Sequence, residues 1–182
     1  MESMRLFKNI QDQNFIQLMD DCFSLSDHFT LTRFNGHPAP EPPTDSKQAA
    51  LFHAVFAHHN KVLAALKEYR IGTIQATRWF RTFTDTPMYI DLYQASSSSK
   101  DTLLSFYDNF FLRPSRHNIV LPADLCFFRY GVSWLASCSH EAICYACPPT
   151  PAVASQLLTC GTWHPITDGQ IWMIHLDDYE IT

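Results

Sequence analysis

Six side chains in the last third of the chain, Cys138, His140, Cys144, Cys147, Cys160 and His164, are of the types that could do chemistry. Thiolate and imidazole are preferred zinc ligands, and Cys144-x2-Cys147 has the spacing of one half of a tetrahedral site. The neighbouring residues argue against that use. AICYAC at 142–147 reads as a strand, in which residues three apart point to opposite faces, and no glycine lies between the two cysteines to turn the chain. Cysteine also fills buried space as a small apolar residue. The expectation is structural thiols and no cofactor or metal, with Cys138, His140, Cys144 and Cys147 as the weak candidates. A redox role for the same pair needs a thiol at a helix N-terminus, whereas Pro148 and Pro149 follow directly.

His140-Glu141-x-x-Cys144 has the outline of a zinc-protease helix with its second histidine replaced. That motif depends on two imidazoles one helical turn apart, so a polar hairpin tip is the simpler expectation. The sequence contains no Gly-x-Ser-x-Gly elbow, phosphate loop or dinucleotide fingerprint. A catalytic residue cannot be assigned, and the balance leans away from an enzyme.

Two stretches have the composition of contact surfaces. RWFRTF at 78–83 interleaves guanidinium groups with rings, and Asp177, Asp178 and Glu180 stand beside Trp172 and Tyr179. Trp79, Arg81, Asp177, Asp178 and Tyr179 are therefore the residues expected to meet a protein partner. The chain carries a net charge of −5 with pI near 5.9. That balance argues against nucleic acid, whose phosphates need clustered lysine and arginine, and fits a basic protein partner.

These residues must be positioned by elements that the periodicity outlines. The longest patterned stretch, Thr44 to Gly72, places Leu51, Phe52, Val55, Phe56, Val62, Leu63, Leu66 and Tyr69 within one arc of a helix. Pro42 and Pro43 precede it, Thr44 or Asp45 can cap it, and Gly72 supplies a left-handed stop. About 26 helical residues would run about 39 Å, which makes this the long central helix of the fold. His59 falls inside the apolar arc. An imidazole there needs a hydrogen-bond partner, and a small-ligand pocket around His59 is the alternative to a core histidine. Alanines at 50, 54, 57, 64 and 65 line the reverse face, which leaves room for a neighbouring element or a second copy of the chain.

Around this helix the pattern predicts a helix over 9–23, a strand over 29–34, and a proline-rich loop over 35–43. Strands over 73–84 and 88–94 follow, joined through the TDTP segment. A helix capped by Ser98 and Asp101 runs to Phe111 before Pro114, and RPSRHN at 113–118 is an exposed turn. The runs NIVL, LCFFRY, VSWLAS and AICYAC form an antiparallel meander. Thr150-Pro151 opens a short helix that closes near Gly161, Asp168-Gly169 marks a hairpin, and the acidic tail is exposed.

The fold expected for residues 1–182 is one α+β domain with a mostly antiparallel sheet, the long helix and three shorter helices. Hydrophobic residues make up 46% and charged residues 17%, which excludes a disordered chain. The N-terminal residues lack an apolar leader, the longest uncharged run is broken by four prolines, and six cysteines without a leader read as reduced. A cytoplasmic, non-membrane protein is expected. The functional expectation is a small binding or regulatory protein acting through protein–protein contact, specifically an inhibitor or immunity-type protein for a basic partner. Its rivals are an enzyme or zinc-binding domain in the Cys/His-rich last third, and a small-ligand binder at His59.

Overall fold

A computed structural model describes residues 3–33, 46–111, 121–166 and 173–182. Strands β1 (Met4–Leu6), β2 (His28–Thr32), β3 (Arg70–Trp79), β4 (Thr82–Gln94), β5 (Ala123–Arg129), β6 (Val132–Cys138), β7 (Ile143–Ala146) and β8 (Trp163–Pro165) alternate with helices. The helices are α1 (Asp12–Leu25), α2 (Ser46–Ala65), α3 (Ser97–Leu104) and α4 (Pro151–Cys160). Among the described residues the strands form one eight-stranded antiparallel sheet in the order β3-β4-β2-β5-β6-β7-β1-β8. The α+β class follows the sequence expectation, as do the last three runs of the meander, β5-β6-β7, while residues 118–120 of its first run lie outside the described residues. No helix among the described residues is long and apolar enough to cross a membrane.

The middle of the sheet is buried on both faces. Alternation along β5 sends Leu125 and Phe127 to a cluster with Phe29, Leu31, Tyr93 and Leu135, covered by α1 (Phe15, Leu18, Met19), α3 (Leu103) and α4 (Val153, Leu157). Cys126 and Phe128 go to a second cluster with Ile74, Trp79, Ile90, Leu92 and Cys138. A strand buried on both sides reads as a continuous apolar run, which is how LCFF appears in the sequence. Between β5 and β6, Tyr130 and Gly131 both have positive φ, 53° and 77°. That pair makes the tight turn whose twist matches antiparallel strands, and the Asp27 carboxylate accepts from the Tyr130 amide at 2.7 Å.

Among the described residues, the second face is covered by the C-terminal segment. Residues 173–182 run from the β5–β6 turn to the outer strand: the Leu176 amide donates to Gly131, Ser133 exchanges hydrogen bonds with Ile174, and Thr182 pairs both ways with Thr73. Ile174 and Leu176 are buried in the second cluster, where burial of each aliphatic side chain contributes about 1.5–3 kcal/mol. Gly72 belongs to this arrangement. A Cβ there would collide with the Ile181 side chain and come within 3.1 Å of the Thr182 carbonyl oxygen.

Several local expectations are corrected. Gly72 does not end the long helix; α2 stops at Ala65, a 3-10 turn covers Lys67–Tyr69, and β3 starts at Arg70. Of the described side chains on α2, Phe56, His59 and Val62 are buried and continue the stripe into Leu66, while Ala50, Ala54 and Ala64 are exposed. The hairpin between β3 and β4 turns at Phe80-Arg81, and the TDTP segment at 84–87 is a bulge inside β4. Ala76 pairs with Met88 and Arg78 with Phe83, so one residue faces four. β2 pairs no further along β4 than Ile90, which leaves Pro87, with no amide to offer, outside that ladder. The third helix is capped by Ser96 and Ser99, whose side chains satisfy each other's backbone amides, and ends at Leu104 rather than Phe111. Thr150 caps α4 as expected, accepting from the Val153 amide. The loop at 35–43, the turn at 113–118, Trp172 and Asp168-Gly169 lie outside the described residues.

Candidate functional site

Three polar regions are assembled by this sheet. The first is a buried network at the junction of β2, β3 and β4. Arg33 follows the last residue of β2, its amide bonded to Tyr89 of β4, and its side chain reaches Asp91, to which it donates from Nε and Nη2, each at 2.6 Å. Thr73 of β3 donates to the same carboxylate at 2.8 Å and the Tyr93 hydroxyl at 3.3 Å. Arg70, 3.8 Å away, is the more exposed cation beside it. Burial alone would lower the Arg33 pKa, but the bonds and charge of Asp91 outweigh it and leave the guanidinium above its ordinary value. Burial, with the Asp91 charge second, pushes the Tyr93 phenol well up. Each acceptor site of the carboxylate has a donor, so this network fixes the register of three strands and offers little to a ligand.

His59 of α2 lies in the field of that ion pair. It is 4% exposed, with its ring 3.5 Å from the Asn60 side-chain oxygen and edge-on to Phe56. Burial lowers its pKa, and the Asn60 contact only partly offsets this. His59 does not line the main cleft.

The second region is that cleft, of about 570 Å3. Its walls are the β4 bulge (Phe83, Thr84, Thr86, Pro87) and the ends of β2 and β5 (Thr32, Ala123, Asp124), with His140 at the β6–β7 tip. Bulges recur beside functional sites because the extra residues re-aim side chains and end strand pairing. Thr32 Oγ1 is buried here without a hydrogen-bond partner among the described residues.

At the mouth of the cleft Asp124, Cys138 and His140 bring a carboxylate oxygen, a thiol sulfur and an imidazole nitrogen within 4.8 Å of one another. Continuing the β5–β6 register, in which Cys126 faces Ala136, sets Asp124 opposite Cys138. His140 lies in the turn just past the end of β6, where the chain brings its ring to the Cys138 sulfur. Asp124 holds a left-handed backbone, φ 54°, and its Oδ1 accepts from the Ser139 amide at 2.7 Å while its own amide donates to Ser139 Oγ. Burial raises the Asp124 pKa against those bonds. Cys138 is fully buried, 3.4 Å from Thr82 Oγ1 and 3.4 Å from His140 Nδ1. Burial holds its thiol protonated to higher pH than usual, with the Thr82 contact opposing. A protonated, buried sulfur is a poor nucleophile.

Of the other weak metal candidates, Cys144 is fully buried against the helices. Cys147 is half-buried and 3.3 Å from Ser3 Oγ. They stand apart from the trio. The sequence pointed to Cys138 and His140 but missed Asp124, fourteen residues upstream. The tight Tyr130-Gly131 turn alone would set 124 opposite 137; the irregularity between Phe127 and Phe128 shifts the register by one and brings 124 to 138, and nothing in the local sequence marks that shift.

The third region is the C-terminal turn. Asp177 and Asp178 on a 3-10 turn at Leu176–Asp178, and Glu180 just beyond it, are exposed, and Tyr179 between them packs its ring against Trp79 at 5.2 Å. Trp79 is 1% exposed and cannot be part of a contact surface; it supports Tyr179 from beneath. The reason is the bulge after Ala76, which shifts the face alternation and turns Trp79 into the second core. Arg81 is exposed on the β3–β4 turn. No protein-family model, curated protein or solved structure matches the chain.

Proposed function

We propose that this is a small cytoplasmic binding or regulatory protein that acts through protein–protein contact, as an inhibitor or immunity-type protein covering a basic partner. The observation that carries this reading is the state of the acidic C-terminus. Asp177, Asp178 and Glu180 are not on a loose tail; Leu176 is buried beneath them, Tyr179 rests on Trp79, and Thr182 is paired with Thr73. Carboxylates carried on an ordered backbone lose less conformational entropy on association than those of a loose tail, and several of one sign steer an oppositely charged surface at long range. Arg81 at the neighbouring hairpin tip completes the contact residues.

The test is differential. Immobilised wild type and the Asp177→Lys/Asp178→Lys protein are challenged with host lysate at low and high salt. A basic protein held by the wild type, released by salt and absent from the double variant, is the expected result. Equal retention by both proteins sinks the reading.

A further inference from the structure

A separate inference, independent of the partner reading, comes from the cleft. We propose that Asp124, Cys138 and His140 form a binding site for a divalent metal ion of zinc's class, with a fourth ligand position opening onto the cleft.

The geometry is the first support. With Zn–S near 2.3 Å and Zn–N near 2.0–2.1 Å, a tetrahedral arrangement puts sulfur and nitrogen about 3.6 Å apart. The Cys138 sulfur lies 3.4 Å from Nδ1 and 3.7 Å from Nε2 of His140. Both separations are close to that value, and an Asp124 carboxylate oxygen lies within 4.8 Å of both side chains.

Charge and donor type are the second support. One carboxylate, one thiolate and one neutral imidazole offer a dication two negative charges in a site where Asp124 and Cys138 are buried, and a mixed S, N, O set is of borderline softness, as zinc is. The Ser139 amide already orients the carboxylate, the kind of outer hydrogen bond that metal-ligating carboxylates carry. His140 is exposed, so its ring can pivot onto an arriving ion. Because Asp124 and His140 line the cleft, three protein ligands leave the remaining position facing solvent and any molecule in the cleft, the pattern of an open rather than a sealed zinc site. Binding releases the Cys138 proton to solvent, so affinity rises with pH.

Metal-free full-length protein is titrated with zinc chloride by calorimetry and with cobalt chloride by absorption spectroscopy. One equivalent of zinc binds, and cobalt shows a thiolate charge-transfer band in the near ultraviolet. Loss of an outer-shell partner already weakens a metal site about 10- to 100-fold, so His140→Ala and Asp124→Asn each weaken zinc by at least that factor. The cobalt band vanishes in Cys138→Ser and survives in Cys144→Ser and Cys147→Ser. His140→Ala and Asp124→Asn carry the decision should Cys138→Ser fail to fold, since His140 is exposed and asparagine tolerates the left-handed backbone at 124. Wild type that takes up no stoichiometric zinc, or unchanged affinity in both folded variants, overturns the site.

Discussion

The sheet holds two buried carboxylates, and they are treated differently. Asp91 lies where three strands meet and accepts from Arg33, Thr73 and Tyr93. Asp124 lies at the end of β5, its carboxylate accepting from the Ser139 amide and, among the described residues, in no ion pair with lysine or arginine, beside a buried thiol and an exposed imidazole. A charge that is fully paired is spent on structure. A charge that is only partly compensated remains available to a ligand, and the polarity of a site says less about its use than the completeness of its pairing.

The comparison is broken most severely at the first site. Asp91→Ala leaves Arg33 buried without its counter-charge, and a loss of about 3–5 kcal/mol in urea unfolding is expected. Replacing Arg33 and Asp91 together by apolar residues recovers part of that loss. A double variant as unstable as the sum of its singles would show the two residues to act separately.

The next effect in size is at the C-terminal segment. Gly72→Ala places a methyl group against Ile181 and Thr182, and overpacking of this kind costs about 1–3 kcal/mol. Protease should then cleave within residues 173–182 faster than in the wild type. If the acidic turn is the contact surface, the same variant also weakens partner binding without altering any acidic residue.

The same carboxamide substitution compares the two carboxylates directly. Asp91→Asn removes the negative charge opposite a buried guanidinium and lowers the melting temperature. Asp124→Asn, made in metal-free protein, removes a carboxylate that burial disfavours and leaves melting unchanged or slightly raised. Equal losses at both positions would falsify the distinction drawn between them.

The smallest effect is a pH dependence. His59 has its pKa lowered by burial from the ordinary 6.5, so the folded protein holds it neutral where the unfolded chain would protonate it. Its contribution is fully present above that ordinary value and is lost progressively as pH falls below it, until the lowered folded pKa is reached. The urea midpoint of the wild type should therefore fall between pH 7 and 5 more steeply than that of His59→Phe. Parallel curves would remove His59 as the cause.

Much of the architecture was readable because it depends on local pattern. Phe15, Leu18 and Met19 share a helix face at any register, LCFFRY is a short β-rich run bounded by Pro122 and Gly131, and Thr150-Pro151 caps a helix wherever the helix packs. Turns defined by their neighbours were harder. TDTP looks like a hairpin because proline and aspartate favour turns, yet the two-residue turn at Phe80-Arg81 fits the pairing of Arg78 with Phe83. Gly72 looks like a helix stop because that is where glycine most often serves, whereas its need for space is created by the last two residues of the chain.

By itself, the sequence determined the class of fold, most of the elements, the buried status of His59 and the interest of Cys138 and His140. Apolar periodicity and capping are short-range properties, and they survive without knowledge of distant partners. Only the tertiary structure decided that Trp79 is core, that Arg33 belongs to Asp91, that the acidic end is strapped across the sheet, and that Asp124 completes a trio with Cys138 and His140. Those outcomes depend on strand register and strand order, set by contacts between residues far apart in the chain, as between Met4 and Pro165 of β1 and β8 and between Thr73 and Thr182, 109 positions apart. No local propensity encodes a separation of that length.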